Sequence, residues 1–120
     1  LSEVCPPEMS DAFPEEFTVE AGDYCIVKPR FSAFFSTQLD LLLRRLGVDT
    51  VILAGTTTPN CIRTTCYDAL SLDYDVVVLS DCTSSVTDEV QAANLRDMAR
   101  IGARICTGAE LPTLLGEARA

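Results

Sequence analysis

Residues 50–61 read TVILAGTTTPNC and decide the predicted fold. The apolar run at residues 50–54 predicts a buried strand, which Gly55 closes. Thr58 predicts the N-cap of a helix over residues 59–72, with a proline in the first helical position. A buried strand that leads through a short turn into a helix is the repeating unit of parallel sheets, so this stretch predicts an α/β protein.

The rest of the chain continues the alternation of strands and helices. Apolar runs predict further strands at residues 24–28, 75–79 and 103–106. Periodic segments predict further helices, one that Thr37 caps and Gly47 ends, one over residues 87–99 and one over residues 110–118. The inner face of the helix over residues 87–99 is expected to carry Val90, Ala93, Leu95, Met98 and Ile101. Because the strands are apolar on both faces, we expect a three-layer, Rossmann-like parallel sheet flanked by helices, preceded by an irregular lead-in over residues 1–22.

Composition narrows the classes of function. The chain has 120 residues, the size of one small domain or of part of a larger one, and 48% of its residues are hydrophobic. Nine basic against eighteen acidic residues give a formal net charge of −9, which disfavours nucleic acid as a partner. No apolar run of about 18 residues occurs and residues 1–10 do not resemble a signal peptide. We therefore expect neither a membrane span nor export, and a cytoplasmic location.

The usage of histidine, cysteine and lysine limits the chemistry. Histidine is absent, which excludes Ser-His, Cys-His and His-metal chemistry within this chain, and we expect no metal and no cofactor. Of the six cysteines, Cys25, Cys82 and Cys106 lie in apolar segments where free cysteine behaves as a small hydrophobe. A disulfide framework is the less favoured alternative to free thiols in a reducing compartment. Lys28 is the one lysine among nine cationic residues.

Cys61 lies near the start of a predicted helix, at the carboxyl end of a predicted strand. The first turn of a helix offers free backbone N–H groups and a partial positive charge, which favour a thiolate and can hold an oxyanion. Lys28 ends another predicted strand, and carboxyl ends of parallel strands meet at one edge of the sheet. These features suit covalent catalysis by Cys61, but on local features alone inert packing of the thiol is the favoured interpretation.

Three segments resemble, in order and spacing, motifs of the isochorismatase-like cysteine hydrolases. Residues 28–34, KPRFSAF, resemble the K-x-R-[YF]-S-A-F element of that family. Residues 55–62, GTTTPNCI, resemble its G-x-x-T-x-x-C-[VI] element, and residues 65–81 resemble its T-x-x-D-A … Y-x-V-x-V-x-x-D stretch. The family includes nicotinamidases, N-carbamoylsarcosine amidohydrolase and isochorismatases.

The resemblance implies a catalytic triad of Asp, Lys and Cys. By position, Cys61 would be the nucleophile and Lys28 the lysine that holds the thiolate and the polarised substrate. The backbone N–H groups of Thr57 and Cys61 would form the oxyanion hole, and the family's cis peptide bond would fall between Thr56 and Thr57. The substrate would be a small molecule, and the family commonly forms homo-oligomers.

Residues near the implied site are candidates for substrate binding. Phe31 and Phe34, with Phe35, are expected to line the pocket, although three aromatic residues after a strand are more typical of a core. Arg30 and Arg63 are near enough to the implied site to bind a substrate carboxylate. A structural role is the favoured interpretation of Arg63.

The sequence departs from the family at its first motif. The family's aspartate ends a first strand well upstream of the lysine, and we assign that role to neither Asp11 nor Asp23. We expect residues 1–120 to be a single domain that corresponds to the C-terminal two-thirds of the family's domain, with the N-terminal strands missing. The chain is then a piece of a longer protein, or a second chain supplies the strands, or it is a truncated relative without activity.

Two classes of function follow from the resemblance. The first is a hydrolase that cleaves a C–N bond of a small amide or ureido compound through an acyl-enzyme on Cys61. A variant of it is an isochorismatase-type vinyl-ether hydrolase, which Cys61 disfavours because those enzymes do not need the cysteine. The second is a catalytically inactive pseudoenzyme or assembly module that lacks the catalytic Asp.

Overall fold

The computed structural model describes residues 18–119. The described part begins with α1 (Leu39–Arg45) and β1 (Thr50–Thr56), followed by a π-helical turn (Thr58–Ile62) and α2 (Arg63–Ser71). It continues with β2 (Asp75–Ser84), α3 (Asp88–Arg100), β3 (Arg104–Cys106) and α4 (Leu111–Arg119). Three of the four predicted strands and all four predicted helices are therefore present, with shifted ends.

The three strands form one parallel sheet in the order β1-β2-β3, with β2 in the middle. Thr50 pairs with Asp75 and Leu53 with Val78, but farther along Gly55 lies opposite Thr83. Residues 79–82 of β2 therefore have no partner on β1. This irregularity lies at the carboxyl end of β1, directly before the turn that carries Cys61.

Helices cover both faces of the sheet. On one face, Val76 and Val78 of β2 pack in one cluster with Cys66 of α2 and Met98 of α3. On the other face, β2 and β3 contribute a smaller cluster against α4, formed by Val77, Leu79, Cys106, Leu111 and Leu114. The predicted three-layer α/β arrangement is confirmed, and burial of each large apolar side chain contributes about 1.5–3 kcal/mol to the stability of these layers.

Two predictions about packing are wrong. Residues 24–28 form no strand: the segment is exposed, and Val27 keeps 80% of its surface accessible. A strand needs a neighbour for its backbone N–H and C=O groups, and within residues 18–119 no strand lies beside this segment. Ile101 lies at the C-cap, one residue past the end of α3, and it is exposed rather than on the inner face.

The helices are short, and the hydrogen bonds that cap their first turns differ. Thr87, predicted as the first residue of its helix, is instead the N-cap of α3, and its side chain accepts a hydrogen bond from the N–H of Val90 at 3.1 Å. For α1 the cap position belongs to Gln38 instead of Thr37, although the Thr37 hydroxyl still accepts from the N–H of Leu39. Within residues 18–119, no helix has the length and apolar character needed to cross a membrane.

Candidate active site

The turn after β1 differs from the predicted helix start. The chain enters it through a cis peptide bond between Thr56 and Thr57, at the place that the family resemblance implies. Thr57, not Thr58, occupies the N-cap position. Thr58 is fully buried, and its hydroxyl donates to the carbonyl of Ser84 at 3.1 Å. The predicted cap is therefore wrong, because the Thr58 side chain ties the turn to the end of β2 instead.

The turn is wider than an α-helix at the position of Cys61. The carbonyl of Thr57 accepts hydrogen bonds from the N–H of Asn60 at 3.1 Å and from the N–H of Ile62 at 3.3 Å. The Thr57 carbonyl is thus bonded by the residues on either side of Cys61 and not by Cys61 itself. Regular α-helix begins only at Arg63. π-Helical turns of this kind occur frequently at functional sites.

Lys28 and Cys61 meet at this turn, although 33 positions separate them in the sequence. The Nζ atom of Lys28 lies 3.2 Å from the Sγ atom of Cys61 in hydrogen-bond geometry. Nζ also donates to the carbonyl of Arg30 at 3.2 Å, which fixes the direction of the lysine side chain. The structure therefore brings together the two residues that the sequence singled out.

A hydrogen bond between two segments holds this pair in place. The N–H of Ala33, five residues after Lys28, donates to the side-chain oxygen of Thr65 at 3.0 Å. Thr65 is 7% exposed and lies on α2, one turn beyond Cys61. The bond fastens the lysine segment to the helix that carries the thiol. Sequence reasoning placed Thr65 in a family motif but assigned it no role.

A cleft of about 490 Å³ opens beside the pair, lined by Lys28, Pro29, Arg30, Phe31 and Cys61. Phe31 is 58% exposed, so its ring forms an open wall of this cleft. Arg30 and Phe31 also border a second groove of about 640 Å³ that continues along α2. Two of the three predicted substrate-binding residues, Arg30 and Phe31, thus line the same cleft as the Cys61 thiol.

The third predicted substrate contact lies elsewhere. The ring of Phe34 stacks on Tyr74 with 5.9 Å between the ring centroids and packs against the core cluster. Phe34 also borders a groove along β1, which does not contain Cys61. We therefore assign Phe34 to packing, in line with the alternative that these aromatic residues belong to the core.

Arg63 is occupied by structural contacts. Its guanidinium donates to the side chains of Asn94 at 2.9 Å and Asp97 at 3.0 Å, and it lies 5.2 Å from the centre of the Tyr67 ring. The hydrogen bond that Arg63 donates to Asp97 raises the pKa of Arg63 above its ordinary value. These contacts join α2 to α3, so the structural interpretation of Arg63 is the one that the geometry supports.

The described residues supply no acid to the Lys28–Cys61 pair. The ion pairs within residues 18–119 are Arg44–Asp40 and Arg63–Asp97. Asp23 accepts from the N–H of Glu20, and Asp11 lies outside the described residues. Nor do three cysteine, aspartate or glutamate side chains of this part of the chain come together to hold a metal ion.

The other described cysteines differ from Cys61 in their surroundings. All are free thiols; Cys5 lies outside the described residues. Cys66 is fully buried, and burial raises the pKa of its thiol to about 11. Cys106 is buried as its apolar segment predicts, but Cys25 and Cys82 are exposed, which corrects the prediction that they pack as small hydrophobes. Hydrogen bonding to Asp81 raises the pKa of Cys82.

Comparison with known proteins matches most of the chain to one family. The family model described as "Isochorismatase domain" matches residues 3–110. A protein of Arabidopsis thaliana described as a probable inactive nicotinamidase is 51% identical over 73% of this chain and 45% of its own length. Maleamate amidohydrolase of Pseudomonas putida is 39% identical, over 72% of this chain and 41% of the relative. Ureidoacrylate amidohydrolase of Yersinia enterocolitica is 43% identical, over 60% and 31%.

Solved structures show the same relationship. An isochorismatase family protein from Desulfovibrio vulgaris superposes with a TM-score of 0.80 and is 45% identical in sequence. The match covers 82% of this chain and 52% of that protein. The chain therefore spans about half the length, or less, of these relatives.

Proposed function

The chain belongs to the isochorismatase family, and from that premise we propose that Cys61 is the nucleophile of a hydrolase. The bond cleaved would be the C–N bond of a small amide or ureido compound. The observation that carries the proposal is the 3.2 Å separation between Lys28 Nζ and Cys61 Sγ. The names of the maleamate and ureidoacrylate amidohydrolases among the relatives support this class of substrate.

The first half of the reaction forms an acyl-enzyme. The thiolate of Cys61 attacks the carbonyl carbon, and the carbonyl oxygen becomes an oxyanion. The N–H groups of Thr57 and Cys61 would hold that oxyanion; the Cys61 N–H is suited to this because it does not bond to the Thr57 carbonyl. The C–N bond then breaks, the nitrogen takes up a proton and leaves as ammonia, and a thioester remains on Cys61.

The second half regenerates the thiol. Water attacks the thioester carbon, the C–S bond breaks, and the substrate's acyl group leaves as a carboxylic acid. Lys28 stabilises the thiolate in both halves, since an ammonium at hydrogen-bond distance from sulfur favours the anion. The family's aspartate would move the protons, and none of the described carboxylates pairs with Lys28 for that role.

Ammonia release by the full-length protein tests this function. We expect turnover with at least one member of a panel of small amides and ureido compounds, and a loss of at least about a thousandfold in Cys61→Ala, as for other covalent nucleophiles. Cys82→Ala is the matched control, because it removes an exposed thiol that lies outside the cleft lining. A Cys61→Ala protein that keeps wild-type ammonia release would exclude the thiol mechanism. A wild-type protein that releases no ammonia but cleaves a vinyl ether would instead support the isochorismatase-type alternative.

A non-catalytic role is the second candidate function. One observation favours it: the 51% identical Arabidopsis relative is described as a probable inactive nicotinamidase. A pseudoenzyme would release no ammonia from any compound in the panel. Its Cys61 would react with iodoacetamide no faster than the exposed Cys82.

A further inference from the structure

The carboxyl end of β2 supports the turn that carries Cys61. Thr56 at the end of β1 lies opposite Ser84, and the buried Thr58 hydroxyl donates to the carbonyl of Ser84 at 3.1 Å. Residues 79–82, which precede this end of β2, have no partner on β1. The place of Ser84 therefore helps to set the place of the turn, and whatever holds this end of β2 acts on Cys61 as well.

The side chain of Gln91 on α3 holds this irregular end of β2. Its Nε2 atom donates to the Thr83 side-chain oxygen at 3.0 Å and to the Thr83 carbonyl at 3.2 Å. The same nitrogen lies 3.5 Å from the carbonyl oxygen of Ser80. Thr83 Oγ1 donates its own proton to the carbonyl of Leu79 at 2.9 Å, so it accepts from Gln91. One amide nitrogen thus faces three oxygens of β2.

The other end of the Gln91 amide makes no hydrogen bond to the described residues. Its Oε1 atom is buried and has no partner among residues 18–119. The reverse orientation of the amide would place Oε1 against the carbonyl oxygens of β2, so these acceptors fix the orientation. A buried acceptor without a partner costs free energy. The structure therefore uses Gln91 for its donor nitrogen and not for apolar packing.

The same helix also holds the residue that follows the turn. Arg63 is the first residue of α2, and its guanidinium donates to the Asn94 side chain at 2.9 Å. Asn94 is 9% exposed, and its own Nδ2 donates to the carbonyl of Val90 at 2.9 Å. Gln91 and Asn94 are three positions apart and lie on one face of α3. This face therefore contacts the support of the turn before Cys61 and the helix start after it.

We propose that Gln91 and Asn94 are positioning residues, which clamp the turn from its two sides and hold the Cys61 sulfur beside Lys28. The inference rests on the proposed hydrolase function and adds what keeps the nucleophile in place. Neither side chain lines the thiol cleft, so neither is expected to touch substrate. A displacement of about 1 Å at a reacting group can cost about a hundredfold in rate, so a clamp outside the cleft controls turnover.

Steady-state kinetics of the full-length protein, with an amide that it hydrolyses, test the clamp. Gln91→Met keeps the length of the side chain, removes the donor to Thr83 and also removes the unpartnered Oε1. We expect kcat to fall at least about tenfold with KM within about twofold of wild type, because the substrate contacts are untouched. Alkylation of Cys61 by iodoacetamide at pH 7 should slow at least about threefold, since the sulfur moves away from the Lys28 ammonium.

A pair of variants at Asn94 tests the other side of the clamp. Asn94→Leu keeps the shape of the side chain and removes the acceptor for Arg63, so kcat and the alkylation rate of Cys61 should fall as in Gln91→Met. Asn94→Asp keeps an oxygen in that place and should recover most of the turnover that Asn94→Leu loses. A loss in Asn94→Asp as large as that in Asn94→Leu would overturn the assignment of Asn94 as a positioning acceptor.

Tyr74→Phe is the matched control variant. It removes a buried side-chain hydrogen bond, to Asp40 at 2.6 Å, from the residue that precedes β2 at its other end. It keeps the ring that stacks on Phe34. It should lower the thermal midpoint and leave kcat and the alkylation rate of Cys61 unchanged, which separates positioning from a general loss of stability. Wild-type rates in Gln91→Met, or equal losses in Gln91→Met and Tyr74→Phe, would overturn the proposal.

The alkylation measurement separates this inference from the hydrolase proposal, because it needs no substrate. Slower alkylation of Cys61 in Gln91→Met than in Tyr74→Phe, in a protein that hydrolyses no amide, would support the clamp and refute the hydrolase. Amide hydrolysis that depends on Cys61, with the same alkylation rate in both variants, would support the hydrolase and refute the clamp.

Discussion

Cys61 in the cleft and Cys66 in the core are five residues apart in the chain, and their thiols differ in exposure and in the charged groups within reach. Cys61 lies 3.2 Å from an ammonium at the edge of an open cleft. Cys66 is fully buried among apolar side chains, where burial raises its pKa to about 11. Two residues of the same type, only five positions apart, therefore have thiols that differ in exposure and in neighbouring charge because their surroundings differ.

The strands β1 and β2 also differ in how deeply their side chains are buried. β1 and β2 both begin with apolar runs, and both predict strands buried on two faces. Val78 of β2 is fully buried, whereas Ile52 of β1 is 41% exposed. β2 has a strand on each side, and β1 has one strand neighbour within residues 18–119. Within residues 18–119, β1 is therefore an edge strand that packs less tightly than β2.

The largest expected effect is the difference in reactivity between the two cysteines. At pH 7, iodoacetamide should alkylate Cys61 at least about a hundredfold faster than Cys66, because only the thiolate reacts and a thiol with a pKa of about 11 stays protonated. Tryptic cleavage after Arg63 puts the two thiols on different peptides, so mass spectrometry can follow each rate. Equal rates would contradict the contrast between cleft and core.

The contrast in packing predicts a difference in the free energy of unfolding. Val78→Ala should lower it by about 2 kcal/mol, because two buried carbon groups and a residual cavity are involved. Ile52→Ala removes more carbon atoms, but from a half-exposed site, and should cost less than about 1 kcal/mol. Urea unfolding of both variants measures this. A loss at Ile52 as large as that at Val78 would mean that β1 is as well covered as β2.

Removal of the Lys28 ammonium should lower the reactivity of Cys61 towards that of the buried Cys66. Lys28→Gln keeps a long polar side chain but loses the charge next to the Cys61 sulfur, so alkylation of Cys61 at pH 7 should slow by about tenfold. Arg96→Gln, a charge loss at an exposed position on α3, serves as the control and should leave the rate unchanged. A Cys61 that reacts at the wild-type rate in Lys28→Gln would separate the thiol's reactivity from the lysine.

Loss of the hydrogen bond between the Ala33 N–H and the Thr65 side chain should have a smaller effect. Thr65→Val keeps the side-chain shape but removes the acceptor for the Ala33 N–H, which should cost about 1 kcal/mol of stability. The Lys28 segment then loses its attachment to α2, so alkylation of Cys61 should also slow, by about threefold. Thr113→Val on the exposed side of α4 is the control. A stability loss with no change in the reactivity of Cys61 would restrict Thr65 to a structural role.

The smallest expected effect concerns Asp81, near the carboxyl end of β2. The N–H of Gly108 bonds to Asp81 at 2.9 Å and lowers the pKa of that carboxyl in the folded protein below its ordinary value of 3.8. Its contribution to stability is therefore present above pH 3.8 and is lost as the pH falls through the folded-state pKa. Asp81→Asn should lower the thermal midpoint at pH 7 and have less effect at pH 2. An equal shift at both pH values would contradict this linkage.

The sheet itself was predictable to the extent that its strands carry their own signal. The apolar runs at residues 50–54, 75–79 and 103–106 all form parallel strands. Residues 24–28 carry an equally apolar run and form none, because pairing depends on a neighbour and not on composition. The length of β2, which continues to Ser84, was also not predictable, since its last residues pair with the irregular end of β1.

The site was predictable where a motif names the residue and not where a tertiary contact decides. The motifs indicated Cys61 and Lys28, and the structure places them in contact. The role of Thr65 depends on a hydrogen bond to a segment 32 residues away, which no local pattern reveals. Thr58 is a residue type that often caps helices, but its hydroxyl donates to the carbonyl of Ser84, and the N-cap position belongs to Thr57.

The most direct test of covalent catalysis by Cys61 is to trap the acyl-enzyme on this residue. The full-length protein is mixed with an amide that it hydrolyses, quenched with acid within the first turnover, and digested for mass spectrometry. If Cys61 is the nucleophile, we expect its peptide to gain the mass of the substrate's acyl group. We expect this adduct to disappear when the substrate is exhausted. Ammonia release with no acyl adduct on Cys61, or with the adduct on another residue, would contradict it.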